Sequence, residues 1–226
     1  MAGDVKNKMQ KLSLKLKQSD WDKKEKEFLR GFINYFNEIS DSVNLLRKNK
    51  GNPLVRSQLC LAFICIDSYS RFHRIFLGER NIKSLDKDNK NRFKDWLNMF
   101  VFTSKNKIYS KHKKKIKCDA SVIWRIRNAF LHFYSFPKPK KGESRIFFFF
   151  NVPDKQHEDI EIKFKARGHK VVFIDAYFLI NAIFEGVLLQ CEYLKKMLKK
   201  RPGDYVNAVL FAHNIVMQES ASTIRI

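Results

Sequence analysis

The sequence predicts a mainly α-helical fold: a helical bundle, then a small antiparallel β-sheet insertion, then additional C-terminal helices. Three observations predict it. Apolar residues recur at three- and four-residue spacing in four segments between residues 20 and 136. Between 145 and 174 the pattern changes to the runs and alternation that suit strands. From Asp175 onward two helical segments follow, divided by Arg201-Pro202-Gly203. The chain accordingly divides into a basic arm over 1–19, a helical core over 20–136, and a sheet with C-terminal helices over 137–226 that packs on the core.

Residues 1–19 are basic and carry leucines that fit a strand or a helix equally, so the expectation is a loosely held arm. Ser19 or Asp20 caps a first helix whose inward positions are Phe28, Phe32, Phe36, Ile39, Val43 and Leu46, and Gly51-Asn52-Pro53 ends it. A second helix runs from about Pro53 to Leu77 and stops at Gly78. Its middle, Leu59 to Ile66, is apolar on every side and marks the most buried element. Residues 79–91 read as a polar loop. Asn89 or Asn91 opens a third helix, Phe93 to Phe102, burying Trp96, Leu97, Phe100 and Val101. The fourth, Asp119 to Phe136, places Ile123, Ile126, Phe130 and Tyr134 on one face and ends at Pro137 and Pro139. Arg145 to Val152, with four consecutive phenylalanines, reads as a strand covered on both faces. Asp159 to Ala166 alternates as a half-buried strand, and Val171 to Ile174 is a third. Asp175 caps a helix to about Lys200, and Gly203 or Asp204 starts the last one, to about Met217.

With 44% hydrophobic residues and 21 phenylalanines, the chain has the means to build a core and is not disordered. Lys and Arg outnumber Asp and Glu 45 to 23, a formal charge of +22. Such a surplus attracts polyanions: nucleic acid, an acidic protein or an anionic surface. Cys60, Cys65, Cys118 and Cys191 have no disulfide or zinc spacing, so reduced thiols of a cytoplasmic protein are expected. The charged start, Met1 to Asp20, is no secretory signal. The longest apolar stretch, Val171 to Cys191, is interrupted by Asp175, Asn181 and Glu185, so no membrane span is expected. Glycine-rich phosphate loops, dinucleotide fingerprints, and serine-hydrolase and zinc-protease spellings are absent. His112, Cys118 and His132 fit no metal template, so neither metal nor cofactor is expected.

The fourth helix carries Arg125-Ile126-Arg127-Asn128-Ala129-Phe130-Leu131-His132. Of the six histidines, only His132 has an arginine four to six residues ahead of it on a helix with Asn following the Arg. Asn128 and His132 share a face at i and i+4. Arg127 and His132, five apart, diverge by about 140° on a regular helix. Sharing one site therefore requires that Arg127 reach around the flank, that the helix be distorted, or that two helices pair. Just upstream, Lys111, Lys113, Lys114, Lys115 and Lys117 form the densest positive stretch, and with Arg125 they are the candidate phosphate-backbone contacts. Asp67 ends the apolar run of the second helix, where a carboxylate is costly unless paired. Arg71, four residues on, is one candidate partner.

The Arg127-Asn128…His132 spelling resembles the motif of the HEPN superfamily of helical domains, many of which are metal-independent ribonucleases. The resemblance covers residues 20 to 136 and the helix from 175. It implies that Arg127, Asn128 and His132 are catalytic and that Asp67 orients Arg127 from the neighbouring helix. It also implies a homodimer through helix 119–136, because one histidine does not comfortably serve as both base and acid. The expected reaction is attack of the RNA 2′-hydroxyl, giving 2′,3′-cyclic phosphate and 5′-hydroxyl ends. The expected biological class is a toxin or antiviral effector, with an antitoxin or acidic regulatory protein as a further partner. The alternative is a non-catalytic module of the same type that binds RNA or an acidic protein.

Overall fold

The computed structural model describes residues 18–48, 54–133, 144–166 and 171–223, with side chains for 23–48, 54–131, 144–153 and 171–214 and for part of 154–163. It is mainly helical: α1 (Gln18–Arg47), α2 (Val55–Phe76), α3 (Ile82–Lys87), α4 (Asn89–Trp96) running into a π-helical turn (Leu97–Val101), α5 (Lys107–His112), α6 (Ala120–Phe133), β1 (Arg145–Phe149), α7 (Asp154–Ala166), β2 (Val171–Asp175), α8 (Ala176–Lys200) and α9 (Pro202–Thr223). The arm over 1–17 and the expected stop signals at Gly51-Asn52-Pro53 and Pro137 lie outside the described residues.

α2 is the hub because most of its apolar middle is buried, although Ile64, expected inside, is 41% exposed. Leu59, Ala62, Phe63, Cys65, Ile66 and Tyr69 are fully buried. α1, α4, α6, α8 and α9 all pack on it. Helices from the N-terminal and C-terminal halves therefore share one core, as expected when each buries an apolar stripe. Polar ties fix their registers. Trp96 Nε1 donates to Gln190 Oε1 at 2.7 Å, and Gln190 Nε2 donates to the Tyr69 carbonyl at 3.2 Å, linking α4, α8 and α2. Buried Asn106 donates to the carbonyls of Phe100 and Ala182, at 3.0 and 2.7 Å, and pins the π turn to α8. Gly186 is where α8 comes closest to that turn. A Cβ there would meet Trp96 and Val101 at 3.1 Å and the Phe100 carbonyl at 3.3 Å.

Four expectations are corrected. The sheet is parallel, not antiparallel: β1 pairs with β2 from Arg145–Val171 to Phe149–Asp175. The alternating segment 159–166 is no strand but the second half of α7, the crossover that parallel neighbours require. Its Ile162 is 63% exposed, so the alternation does not sort inside from outside. The loop expected over 79–91 contains α3, capped by Asn81, whose Oδ1 accepts from Ser84 N. β1 is also less covered than four phenylalanines suggest, with Ile146 buried and 147–149 half-buried. Asp175 caps α8 as predicted, accepting from Tyr177 N at 3.0 Å. Fully buried, it also accepts from Asn151 N and Val152 N, closing the turn after β1. No helix among the described residues is long and apolar enough to cross a membrane.

Candidate functional site

α6 begins where Asp119 Oδ1 accepts from Val122 N at 2.8 Å, an N-cap bond. Ile123, Ile126 and Phe130 point into the core, with Phe130 edge-on to Phe63 of α2 and Phe148 of β1. Trp124, Arg127, Asn128 and Leu131 are left half-buried on the flank. The helix is α-helical throughout 120–133, so there is no distortion between Arg127 and His132. His132 falls in its last turn, and its side chain lies outside the described residues.

Arg127 is held on three sides. Its Nε and Nη2 donate to Asp67 Oδ2 at 2.9 and 2.5 Å, and its Nη1 donates to Asn128 Oδ1 at 3.0 Å. The guanidinium carbon lies 5.1 Å from the centre of the Trp124 ring, itself edge-on to Phe93. Of the two partners offered to Asp67 by the sequence, the one across the helix pair is taken. Arg71 instead approaches Asp86 of α3 at 3.5 Å. The guanidinium has a fixed fork of N–H donors. With Nε and one edge of Nη2 committed to Asp67, one N–H on Nη1 and one on Nη2 are uncommitted among the described residues. Two such donors suit adjacent oxygens of a phosphate. Because Asn128 accepts through Oδ1, its Nδ2 amide remains a donor beside them.

The pair is mostly covered, with 16% of the Arg127 side chain and 20% of Asp67 exposed. Burial pushes the Asp67 carboxyl up, against the hydrogen bonds and charge of Arg127 and the charge of Arg92. Asp67 Oδ1 is buried and accepts no hydrogen bond from the described residues.

The basic stretch divides in two. Lys111, Lys113, Lys114 and Lys117 are exposed. Lys115 is a structural tie: its Nζ donates to the Val152 carbonyl at 2.9 Å and lies 4.8 Å from the Phe178 ring centre. Its own carbonyl accepts from Asp175 N, and Ile116 next to it bridges to Ile174. Arg125 is half-buried, two positions before Arg127 and so on another flank of α6. The stretch leads directly into α6, and Arg127 lies roughly 10 Å along that helix from Ala120.

Sequence reasoning missed Trp124 and Arg92. The second had a signal: Arg92 falls at i, i+4 and i+8 with Trp96 and Phe100, on the buried face of α4. Among the described residues no three His, Cys, Asp or Glu side chains gather to hold a metal ion. No family model matches the chain, and no curated protein or solved structure matches it.

Proposed function

We propose that the protein is a metal-independent endoribonuclease of the HEPN type, acting on RNA in the cytoplasm as a toxin or antiviral-defence effector. The observation that carries this reading is the guanidinium of Arg127, held by Asp67 and Asn128 with two N–H groups left for a ligand among the described residues. A merely structural arginine has no need of that edge. A phosphate gains two parallel charge-assisted bonds from it.

In this reading Arg127 binds the scissile phosphate and stabilises the charge that builds on it during attack. Asn128 Nδ2 orients the phosphate or the sugar. His132, whose side-chain type titrates near neutrality, moves the proton of the 2′-hydroxyl or of the departing 5′-oxygen. The unbroken α6 sends positions 127 and 132 in directions about 140° apart. Two copies of α6 facing one another across a two-fold axis supply both groups to one cleft, so the active species is a homodimer through this helix. Exposed Lys111, Lys113, Lys114 and Lys117 carry the flanking backbone, and an acidic regulatory protein competes for the same charge.

The test compares wild type, Arg127→Ala and His132→Ala on total RNA in excess chelator. The expected result is cleavage by wild type only, with RNA binding retained by His132→Ala. Uncut RNA bound equally by all three would replace this reading with a module that binds RNA or an acidic partner without cutting.

A further inference from the structure

Arg92 is 6% exposed, and no carboxylate of the described residues lies in salt-bridge contact with it. Its guanidinium donates only to neutral oxygens: the Leu85 carbonyl at 2.5 Å and Ser70 Oγ at 3.3 Å. A buried cation without a touching anion is costly and calls for a reason. The hydrogen bonds lead to one. Ser70 Oγ donates onward to the carbonyl of Asp67 at 3.0 Å, so Arg92, Ser70 and Asp67 form a chain running from α4 into the turn of α2 that presents the carboxylate to Arg127. On the far side, Asp67 Oδ2 takes both bonds from Arg127 while Oδ1 takes none. That second oxygen is buried and still shares the negative charge.

We propose that Arg92 is a positioning residue of the Arg127 site: through Ser70 it fixes the backbone that carries Asp67, and it sets a second cation near the carboxylate that grips Arg127. The charged and titratable groups around Asp67 are Arg127 of α6, Arg92 of α4, Arg71 on its own helix with Asp86 of α3 beyond it, and Tyr35 of α1, whose hydroxyl bonds Ser68 Oγ at 2.7 Å. Of the cations, Arg127 is committed to Oδ2 and Arg71 leans on Asp86. Among the described residues Arg92 touches no carboxylate, and its charge acts on Asp67 first and on Asp86 after it. The same guanidinium anchors α3 through Leu85 and so keeps Asp86 beside Arg71, leaving Asp67 to Arg127.

This inference rests on Arg127 being the ligand-binding group, but its test does not use RNA. The carboxyl of Asp67 is titrated by carbon NMR in the full chain, in wild type, Arg92→Lys, Arg92→Gln and Ser70→Ala. Arg92→Gln is expected to raise the Asp67 midpoint, because a cation that favours the carboxylate is removed. Arg92→Lys, which keeps the charge but loses the fork, is expected to move it far less while lowering the melting temperature as much. A purely structural role would give the same midpoint in both folded variants, and that result overturns the proposal. If Arg92→Gln does not fold, Ser70→Ala decides by a second readout, the Asp67–Arg127 coupling energy from urea unfolding: a smaller coupling supports positioning through Ser70, and an unchanged one overturns the proposal. An inactive wild type would sink the nuclease reading and leave this titration standing.

Discussion

Asp67 and Arg127, 60 positions apart in sequence, are joined by two hydrogen bonds to one carboxylate oxygen, from Nε at 2.9 Å and Nη2 at 2.5 Å. The guanidinium so fixed is braced on both flanks, by Asp67 on one and by Asn128 and Trp124 on the other. The pair therefore ties α2 to α6 in register, and in the proposed reading that register sets which edge of Arg127 meets a phosphate.

That link is measurable as coupling. Breaking a largely buried pair by removing one partner costs on the order of 3 kcal/mol, because the other charge is stranded. Asp67→Asn and Arg127→Met are each expected to lower stability, and the double variant to lose about 1–3 kcal/mol less than their sum. Urea unfolding of the four proteins gives the coupling, and additive losses would show that the pair carries nothing.

His73 sets an acid limit on stability. It is 3% exposed, edge-on to Phe100 and Tyr193, and burial pushes it down from 6.5 to about 4. Between those values the unfolded chain binds a proton that the folded chain refuses. The neutral-form stability is thus complete above the unfolded value and drains away as pH falls through this window. The loss by pH 4.5 is expected to be about 2–3 kcal/mol. His73→Leu should flatten that part of the profile, whatever its effect at pH 7, and an unaltered slope between pH 6.5 and 4.5 would refute the assignment.

Gly186 is needed for closeness, not for a turn. Gly186→Ala puts a Cβ 3.1 Å from Trp96 and Val101 and 3.3 Å from a backbone oxygen. Overpacking at such a site costs roughly 1–3 kcal/mol, more than the helix propensity gained by Ala returns. Thermal unfolding reads this directly, and a more stable variant would mean that the π turn yields.

The lysines should separate by role. Neutralising exposed Lys111, Lys113 and Lys114 is expected to lower the slope of log affinity for RNA against log salt by about 0.7 for each phosphate no longer neutralised, without loss of stability. Lys115→Ala should do the reverse, destabilising the fold while leaving the slope alone, because its ammonium serves Val152 and Phe178. Fluorescence anisotropy across a salt series, set beside melting curves, distinguishes the two.

Much of the fold is legible in the sequence because the bundle is built on strong periodicity. Spacing alone predicts the inward faces of α1, α4 and α6, and a capping residue before an apolar run predicts Asp175 and its helix. Asp67 stands out as a charge closing an apolar stretch. Which arginine it chooses is not readable, since Arg71 fits by local spacing and Arg127 only through the packing of two helices. The direction of the sheet is hidden because Ile160, Ile162 and Phe164 fit a strand locally, whereas the parallel pairing of 145–149 with 171–175 turns that segment into a helical crossover. α3 has six residues, too few for a period to show. Lys115 looks like its neighbours because its partners, Val152 and Phe178, are remote in sequence and nothing local announces them.

Cleavage by attack of the 2′-hydroxyl leaves its signature in the chemistry of the ends. A defined oligoribonucleotide is incubated with the wild-type chain in chelator, and the fragments are weighed by mass spectrometry. The expected products carry 2′,3′-cyclic phosphate and 5′-hydroxyl termini, and a 2′-deoxy residue at the cut position blocks cleavage. Fragments ending in 3′-hydroxyl and 5′-phosphate, or RNA that is bound but never cut, would contradict 2′-hydroxyl attack.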